Sequence, residues 1–153
     1  MTYRHLLILS ITLLLLTSCG KEKVCGVPIG DATCQIDPDS PLYPGLNNIG
    51  GYVYLTGGYS GLIAIKTFVD QYVVFERTCP YDTSRLEILI DTLWNADHTY
   101  YRLAPNSSLI TCPQCHSLYN AIDGIPIAGS KTRCPLYQYN AHYDGNILYI
   151  NNY

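Results

Sequence analysis

Cysteines in the second half of the chain have the residue types and spacing needed to bind a metal. Cys112 and Cys115 form a Cys-x-x-Cys motif followed directly by His116, and Cys79 begins an earlier Cys-Pro segment. The Cys-x-x-Cys spacing is shared by zinc, iron–sulfur and thiol-redox sites. Both segments follow predicted strands, so we expect their thiols to lie at loop tips, where each turn positions its own ligands.

The elements that must position these loops are predicted to be short strands. Helical periodicity is nearly absent, whereas alternating or β-branched runs recur between turn residues such as Gly57-Gly58 and Asp144-Gly145. The expected strands are 33–36, 51–56, 61–68, 71–77, 86–90, 99–103, 108–111, 117–120, 136–143 and 147–150. The connections are short, so the sequence predicts an all-β fold, an antiparallel sandwich or barrel with cysteine-bearing loop tips.

The order of these motifs resembles the Rieske domain, and most closely the Rieske-like bacterial lipoproteins. RTCPYD is similar to the first cluster-binding loop, TCPQCHSLYNAIDG to the second loop and its hairpin, and IAGSKTRCPLYQY to a third loop that covers the cluster. YDGNILYI is similar to the closing hairpin of that domain, and the resemblance covers about residues 50–151. It implies a [2Fe–2S] cluster and electron transfer rather than catalysis by the protein itself.

The chain departs from the Rieske pattern at both histidine positions. Tyr81 stands at the first, and Cys115 stands at the second, with His116 one place later. In Rieske centres two cysteines bind one iron and two histidines the other. The resemblance therefore assigns Cys79 and Cys112 to one iron. It leaves Cys115 with Cys134 for the other, with His116 as the alternative fourth ligand.

The same cysteines admit two interpretations without a cluster. Cys79 could form a disulfide with Cys112, and Cys115 another with Cys134, giving a binding or structural module. Alternatively, four cysteines, or three cysteines with a histidine, could hold zinc. The cluster and the disulfide interpretations both need Cys79, Cys112, Cys115 and Cys134 to converge. The roles of Cys25 and Cys34 stay open, since they could pair with each other or Cys34 could lie in a strand.

The N-terminal segment predicts export and a lipid anchor. A basic start precedes the apolar run 6–16, which is too short to cross a bilayer as a helix and is typical of a signal peptide. The residues Leu16-Thr17-Ser18-Cys19 resemble a bacterial lipobox, which implies cleavage before Cys19 and lipidation of its thiol. We expect a signal peptide at 1–18, a lipidated N-terminus, tether and first strand at 19–47, and a Rieske-like domain at 48–153.

Composition limits the partners that the protein can have. The formal net charge is −3, and no concentrated basic stretch suggests binding to nucleic acid. The lipobox-like segment predicts a protein tethered to a membrane of the bacterial cell envelope, periplasmic or surface-facing. The Rieske resemblance implies a redox protein as its partner.

Overall fold

The computed structural model describes residues 25–89, 93–94, 100–101 and 109–152. The predicted signal peptide, Cys19 and most of the segment 91–105 lie outside these residues. No helix among the described residues is long and apolar enough to cross a membrane. The described strands are β1 (Cys34–Ile36), β2 (Tyr52–Leu55), β3 (Leu62–Phe68), β4 (Gln71–Glu76), β5 (Glu87–Leu89), β6 (Leu93–Trp94), β7 (Tyr100–Tyr101), β8 (Leu109–Thr111), β9 (Leu118–Asn120), β10 (Gln138–Tyr143) and β11 (Leu148–Asn151).

The fold is all β and antiparallel, as the sequence predicts. Six strands form a curled sheet in the order β1-β11-β10-β4-β3-β2, and a smaller sheet has the order β5-β8-β9. Strands β6 and β7 pair separately. The turn predicted at Asp144-Gly145 joins β10 and β11, and Gly145 adopts the left-handed conformation (φ 101°) that this turn requires.

Strand β3 divides the interior into two clusters because successive side chains of a strand point to opposite faces. Leu62 and Ala64 pack with residues of β1, β10 and β11 in one cluster. Ile63 and Ile65 pack on the other side, in a cluster that also contains Cys79, Cys112 and Cys115. The three thiols therefore lie at the edge of an apolar core between the large and the small sheet.

The segment before residue 48 is integrated into this fold. Strand β1, expected at 33–36, pairs with β11 along its whole length, and Ala32, Ile36 and Leu46 are buried. A disulfide also joins Cys25 to Cys134, with their Cα atoms 5.3 Å apart. The described residues 25–47 thus pack against the part of the chain predicted to be the main domain.

Candidate metal centre

Two loops of the same sequence pattern and the same backbone structure form the centre. Residues 78–84 read Thr-Cys-Pro-Tyr-Asp-Thr-Ser, and residues 111–117 read Thr-Cys-Pro-Gln-Cys-His-Ser. In the first loop, the Cys79 N–H donates to the Ser84 carbonyl (2.8 Å) and the Thr83 N–H donates to the Cys79 carbonyl (2.9 Å). In the second loop, the two equivalent bonds join Cys112 to Ser117 (3.0 Å) and to His116 (2.9 Å).

The loops also share a turn that directs backbone N–H groups at the first sulfur. The Tyr81 N–H donates to Cys79 Sγ at 3.4 Å, and the Cys115 N–H donates to Cys112 Sγ at 3.3 Å. The fifth residue after each threonine, Thr83 or His116, has a left-handed backbone with φ near 60°. This conformation disfavours non-glycine residues, so each turn is held by its hydrogen bonds against local strain.

The strands bring both loops to one end of the small sheet. The first loop runs between β4 and β5, and the second joins β8 to β9. Because β5 and β8 are antiparallel, with Glu87 opposite Thr111, the start of β5 lies beside the end of β8. The two loops therefore face each other even though Cys79 and Cys112 are distant in sequence.

Four side chains converge between the loops: Cys79, Asp82, Cys112 and Cys115. Their potential ligand atoms all lie within 4.8 Å of one another. The sulfurs of Cys79 and Cys115 are 3.7 Å apart, and Cys112 Sγ lies 3.4 Å from Asp82 Oδ2. Each loop supplies one ligand pair, at positions two and five of its seven-residue pattern, and this group could hold a metal ion.

Burial keeps the Cys79 and Cys112 thiols neutral in the absence of a metal, whereas the Asp82 carboxyl group stays ionised. Desolvation raises the pKa of Cys79 to about 12 and also raises the pKa of Cys112. Partial burial acts to raise the pKa of Asp82. However, hydrogen bonds from Ser84 and from the thiols of Cys79 and Cys112 outweigh this effect and lower the pKa to about 2. A cation entering the site would therefore meet one existing negative charge and replace thiol protons.

A hydroxyl group faces each of the three sulfurs. Ser84 Oγ lies 3.0 Å from Cys112 Sγ, Ser117 Oγ lies 3.1 Å from Cys115 Sγ, and the Tyr119 hydroxyl lies 3.7 Å from Cys79 Sγ. Desolvation, reinforced by the neighbouring Cys79, raises the pKa of Tyr119, so its hydroxyl keeps its proton. In this state the Cys115 thiol donates to Ser117 Oγ, and the Ser84 hydroxyl donates to Asp82. Loss of the thiol protons to a metal would leave the Ser117 and Tyr119 hydroxyls to donate to the thiolates and disperse their negative charge.

Two predicted ligands are absent from this group. Cys134, assigned above as the fourth ligand, is bonded to Cys25, and a disulfide sulfur has no thiolate to offer a metal. The suggested Cys115–Cys134 and Cys25–Cys34 disulfides are also wrong, because Cys25 and Cys134 are bonded to each other. Cys79 and Cys112 are both free, so the disulfide suggested between them is also not formed. His116, the alternative fourth ligand, is exposed and lies outside the convergent group.

Asp82 is the site residue that the sequence prediction missed, although a sequence signal for it exists. The pattern Thr-Cys-Pro-x-x-x-Ser occurs twice, and alignment of the two copies places Asp82 opposite Cys115. The Rieske resemblance instead places Tyr81 at the first histidine position. Tyr81 is 42% exposed and is not a member of the group.

Comparisons with known proteins do not extend this description. The chain matches no protein-family model, and comparison with curated proteins and with solved structures found no similar protein.

Proposed function

We propose that this protein is an exported metal-binding domain in which one Zn²⁺ ion joins the two loops through Cys79, Asp82, Cys112 and Cys115. The observation that carries the proposal is the mutual proximity of all four ligand atoms, within 4.8 Å. Cysteine thiolates and a carboxylate are established zinc ligands, and paired ligands at Cys-x-x-Cys spacing from two loops are typical of structural zinc sites.

Two of the ligand–ligand distances match the edges of a zinc tetrahedron, and the others are all within 4.8 Å. With zinc–sulfur bonds of about 2.3 Å and zinc–oxygen bonds of about 2.0 Å, tetrahedral ligands lie about 3.8 Å apart for two sulfurs and about 3.5 Å apart for sulfur and oxygen. The corresponding distances here are 3.7 Å and 3.4 Å. In a two-iron cluster each iron takes two ligands, and the separation of the irons would spread the two pairs further apart.

The role that fits the site best is structural. Cys79 and Cys112 are fully buried and Cys115 is 9% exposed, so the group presents little accessible surface. Four protein ligands would complete a tetrahedral shell, whereas catalytic zinc sites keep one position for water or substrate. The metal would link the β4–β5 connection to the β8–β9 hairpin and stabilise the contact between the large and small sheets.

An extracytoplasmic location belongs to the same proposal. The lipobox-like sequence before Cys19 supports a lipid anchor in the bacterial cell envelope, facing the periplasm or the surface. The Cys25–Cys134 disulfide supports an oxidising compartment independently, because disulfides persist mainly outside the cytosol. Bound zinc would also protect the three remaining site thiols from oxidation there.

A Rieske-like iron–sulfur lipoprotein, acting in electron transfer with a redox partner, is the second candidate. The observation that favours it is the placement of two Cys-Pro loops at one end of a small antiparallel sheet, in the order that the Rieske resemblance implies. Asp82 would then replace Cys134 as the fourth ligand. The short distances among all four ligand atoms favour the single metal ion over this alternative.

Metal analysis of the purified protein separates the two candidates. The full chain should be isolated anaerobically without reconstitution, and its zinc, iron and acid-labile sulfide should be measured together with its visible spectrum. One zinc per chain and a colourless protein are the expected result. Two irons and two sulfides per chain with visible absorption would establish the cluster instead, and protein free of both metals would overturn both candidates.

A further inference from the structure

A second site lies at the hairpin that joins β2 to β3. A cavity of about 430 Å³ is lined there by Tyr54, the loop 55–61, Arg77 and Arg85. This volume is in the range of small-molecule sites. Two of the five lysines and arginines among the described residues line it, although the protein as a whole carries a net negative charge. None of its lining residues is acidic.

Hydrogen bonds hold the loop that forms one wall of this cavity. The buried Glu76 carboxylate accepts bonds from the Tyr59 N–H (2.8 Å) and the Ser60 N–H (2.9 Å). The Gly58 N–H donates to the Asp31 carbonyl at 2.7 Å. Three glycines of the loop have positive φ values, so the loop takes a shape that side chains would oppose. The wall is therefore ordered before any ligand arrives, which lowers the entropic cost of binding.

The Arg77 side chain also lines the cavity, and its contacts with the protein leave its terminal nitrogens able to bind a ligand. Its guanidinium carbon lies 3.7 Å from the centroid of the Tyr54 ring, and its Nε donates to the Leu86 carbonyl at 2.8 Å. The Tyr54 hydroxyl in turn accepts a bond from the Ile88 N–H at 2.9 Å. Neither Arg77 nor the exposed Arg85 forms an ion pair with a carboxylate among the described residues. The terminal guanidinium nitrogens of Arg77 remain able to donate to a ligand.

An exposed aromatic ring completes the lining. Tyr59 is 60% exposed at the rim of the cavity, and Tyr54 is 40% exposed. Guanidinium groups bind carboxylate and sulfate oxygens through paired hydrogen bonds, and a tyrosine ring offers a flat apolar face with a polar end. A ligand with an anionic group on a ring of mixed polarity would use both features.

From this combination we propose that the cavity binds an acidic saccharide, a sugar ring that bears a carboxylate or sulfate group. The two arginines bind the anionic group, and the ring lies against Tyr59. This site is separate from the proposed zinc centre and does not depend on it.

A titration of the ¹⁵N-labelled full chain in detergent with glucuronic acid, glucose and sodium sulfate tests the proposal. We expect glucuronic acid to shift the amide resonances of residues 57–61, and to bind at least about tenfold more tightly than glucose or sulfate, because glucose lacks the anionic group and sulfate lacks the ring. Sulfate binding as tightly as glucuronic acid would remove the sugar from the proposal. If glucose binds as tightly as glucuronic acid, the site does not recognise an anionic group and the proposal is wrong on that point. No shift at 57–61 would overturn the site.

Two variants and a control locate the binding. Arg85→Gln and Tyr59→Ala should each weaken glucuronic acid binding by about fivefold or more. Arg133→Gln removes an exposed arginine outside the cavity and should leave the affinity unchanged. Unshifted resonances elsewhere in each variant will show that the fold is intact. An equal loss in Arg133→Gln, or no loss in either cavity variant, would contradict the proposal.

Discussion

Asp82 and Cys115 occupy the same position in two copies of one loop. Asp82 lies three residues after Cys79, and Cys115 lies three residues after Cys112. Each directly precedes a residue with a left-handed backbone, Thr83 or His116. The group is therefore a matched pair of ligand turns in which one thiol is replaced by a carboxylate. Position within the loop, rather than residue type, identifies the ligand.

Substitution of Asp82 should test its role as a ligand directly. Asp82→Asn removes the only carboxylate of the group, and we expect the zinc affinity to fall by about tenfold or more, the effect of losing one charged ligand. Asp82→Cys should restore tight binding and move the absorption of the cobalt-substituted protein towards that of a four-thiolate site. Competition with a chromophoric chelator measures the affinity.

The control for this experiment is Asp123→Asn. Asp123 is an exposed turn aspartate that accepts a bond from the Ile125 N–H and lies outside the metal-binding group. Its substitution should not change zinc affinity. Equal affinities for the wild-type protein and Asp82→Asn would show that the carboxylate is not a ligand.

His116→Gly should retain the metal. His116 is exposed and has φ 59°, so glycine removes a candidate ligand and relieves the backbone at the same time. The left-handed conformation costs a non-glycine residue about 1–2 kcal/mol, and the greater freedom of glycine in the unfolded chain offsets about 0.5–1 kcal/mol. We expect unchanged zinc content and a small gain in stability in urea unfolding. Thr83→Gly in the other loop is the matched control. Loss of metal in His116→Gly but not in Thr83→Gly would show that His116 is a ligand.

Removal of the disulfide should destabilise the domain without removing the metal. The Cys25→Ser/Cys134→Ser variant opens a covalent link between residues 109 apart. Loss of a native disulfide closing so long a loop costs about 2–5 kcal/mol. Urea unfolding should show this loss while the zinc content stays at one per chain. A fall in zinc content in the folded variant would show that Cys134 is a zinc ligand.

Tyr139→Phe should weaken the fold and reduce its sensitivity to alkali. The Tyr139 hydroxyl donates to the buried Glu76 carboxylate at 2.7 Å, and a bond to a charged group contributes about 1.5–3 kcal/mol. Burial, and then the neighbouring Glu76, raises the pKa of Tyr139. Its contribution is thus complete below about pH 10, the pKa of an unfolded tyrosine, and is lost as the pH rises above it.

Urea unfolding of wild type and Tyr139→Phe at pH 7 and at about pH 10.5 measures both effects. The difference in unfolding free energy between the two proteins should shrink at the higher pH. Tyr59→Phe, at an exposed tyrosine, is the matched control. A constant difference between wild type and Tyr139→Phe would mean that the hydroxyl does not titrate earlier in the unfolded chain.

Short-range patterns made the fold and most of the site predictable from the sequence. Strand alternation and glycine turns give β2, β3, β4, β10 and β11, and the Cys-Pro segments give three of the four convergent ligands. Disulfide connectivity depends on contacts between distant residues, so the Cys25–Cys134 pair could not be deduced from spacing. Asp82 was missed because a carboxylate in a turn usually serves as a local hydrogen-bond acceptor, a role that it also fills here towards Ser84.

The position of the disulfide has a mechanical consequence for a chain pulled at its two ends. Tension that reaches Cys25 from the N-terminal side passes through the covalent bond to Cys134. The intervening residues 26–133, which include both candidate metal loops, lie inside the covalent ring and cannot be extended while the disulfide is intact. Among the described residues, only 135–152 can be drawn out while the disulfide is intact, an extension of about 61 Å at roughly 3.4 Å per residue. Under oxidising conditions, stretching would strip β10 and β11 from the sheet and leave the metal loops closed within their covalent ring.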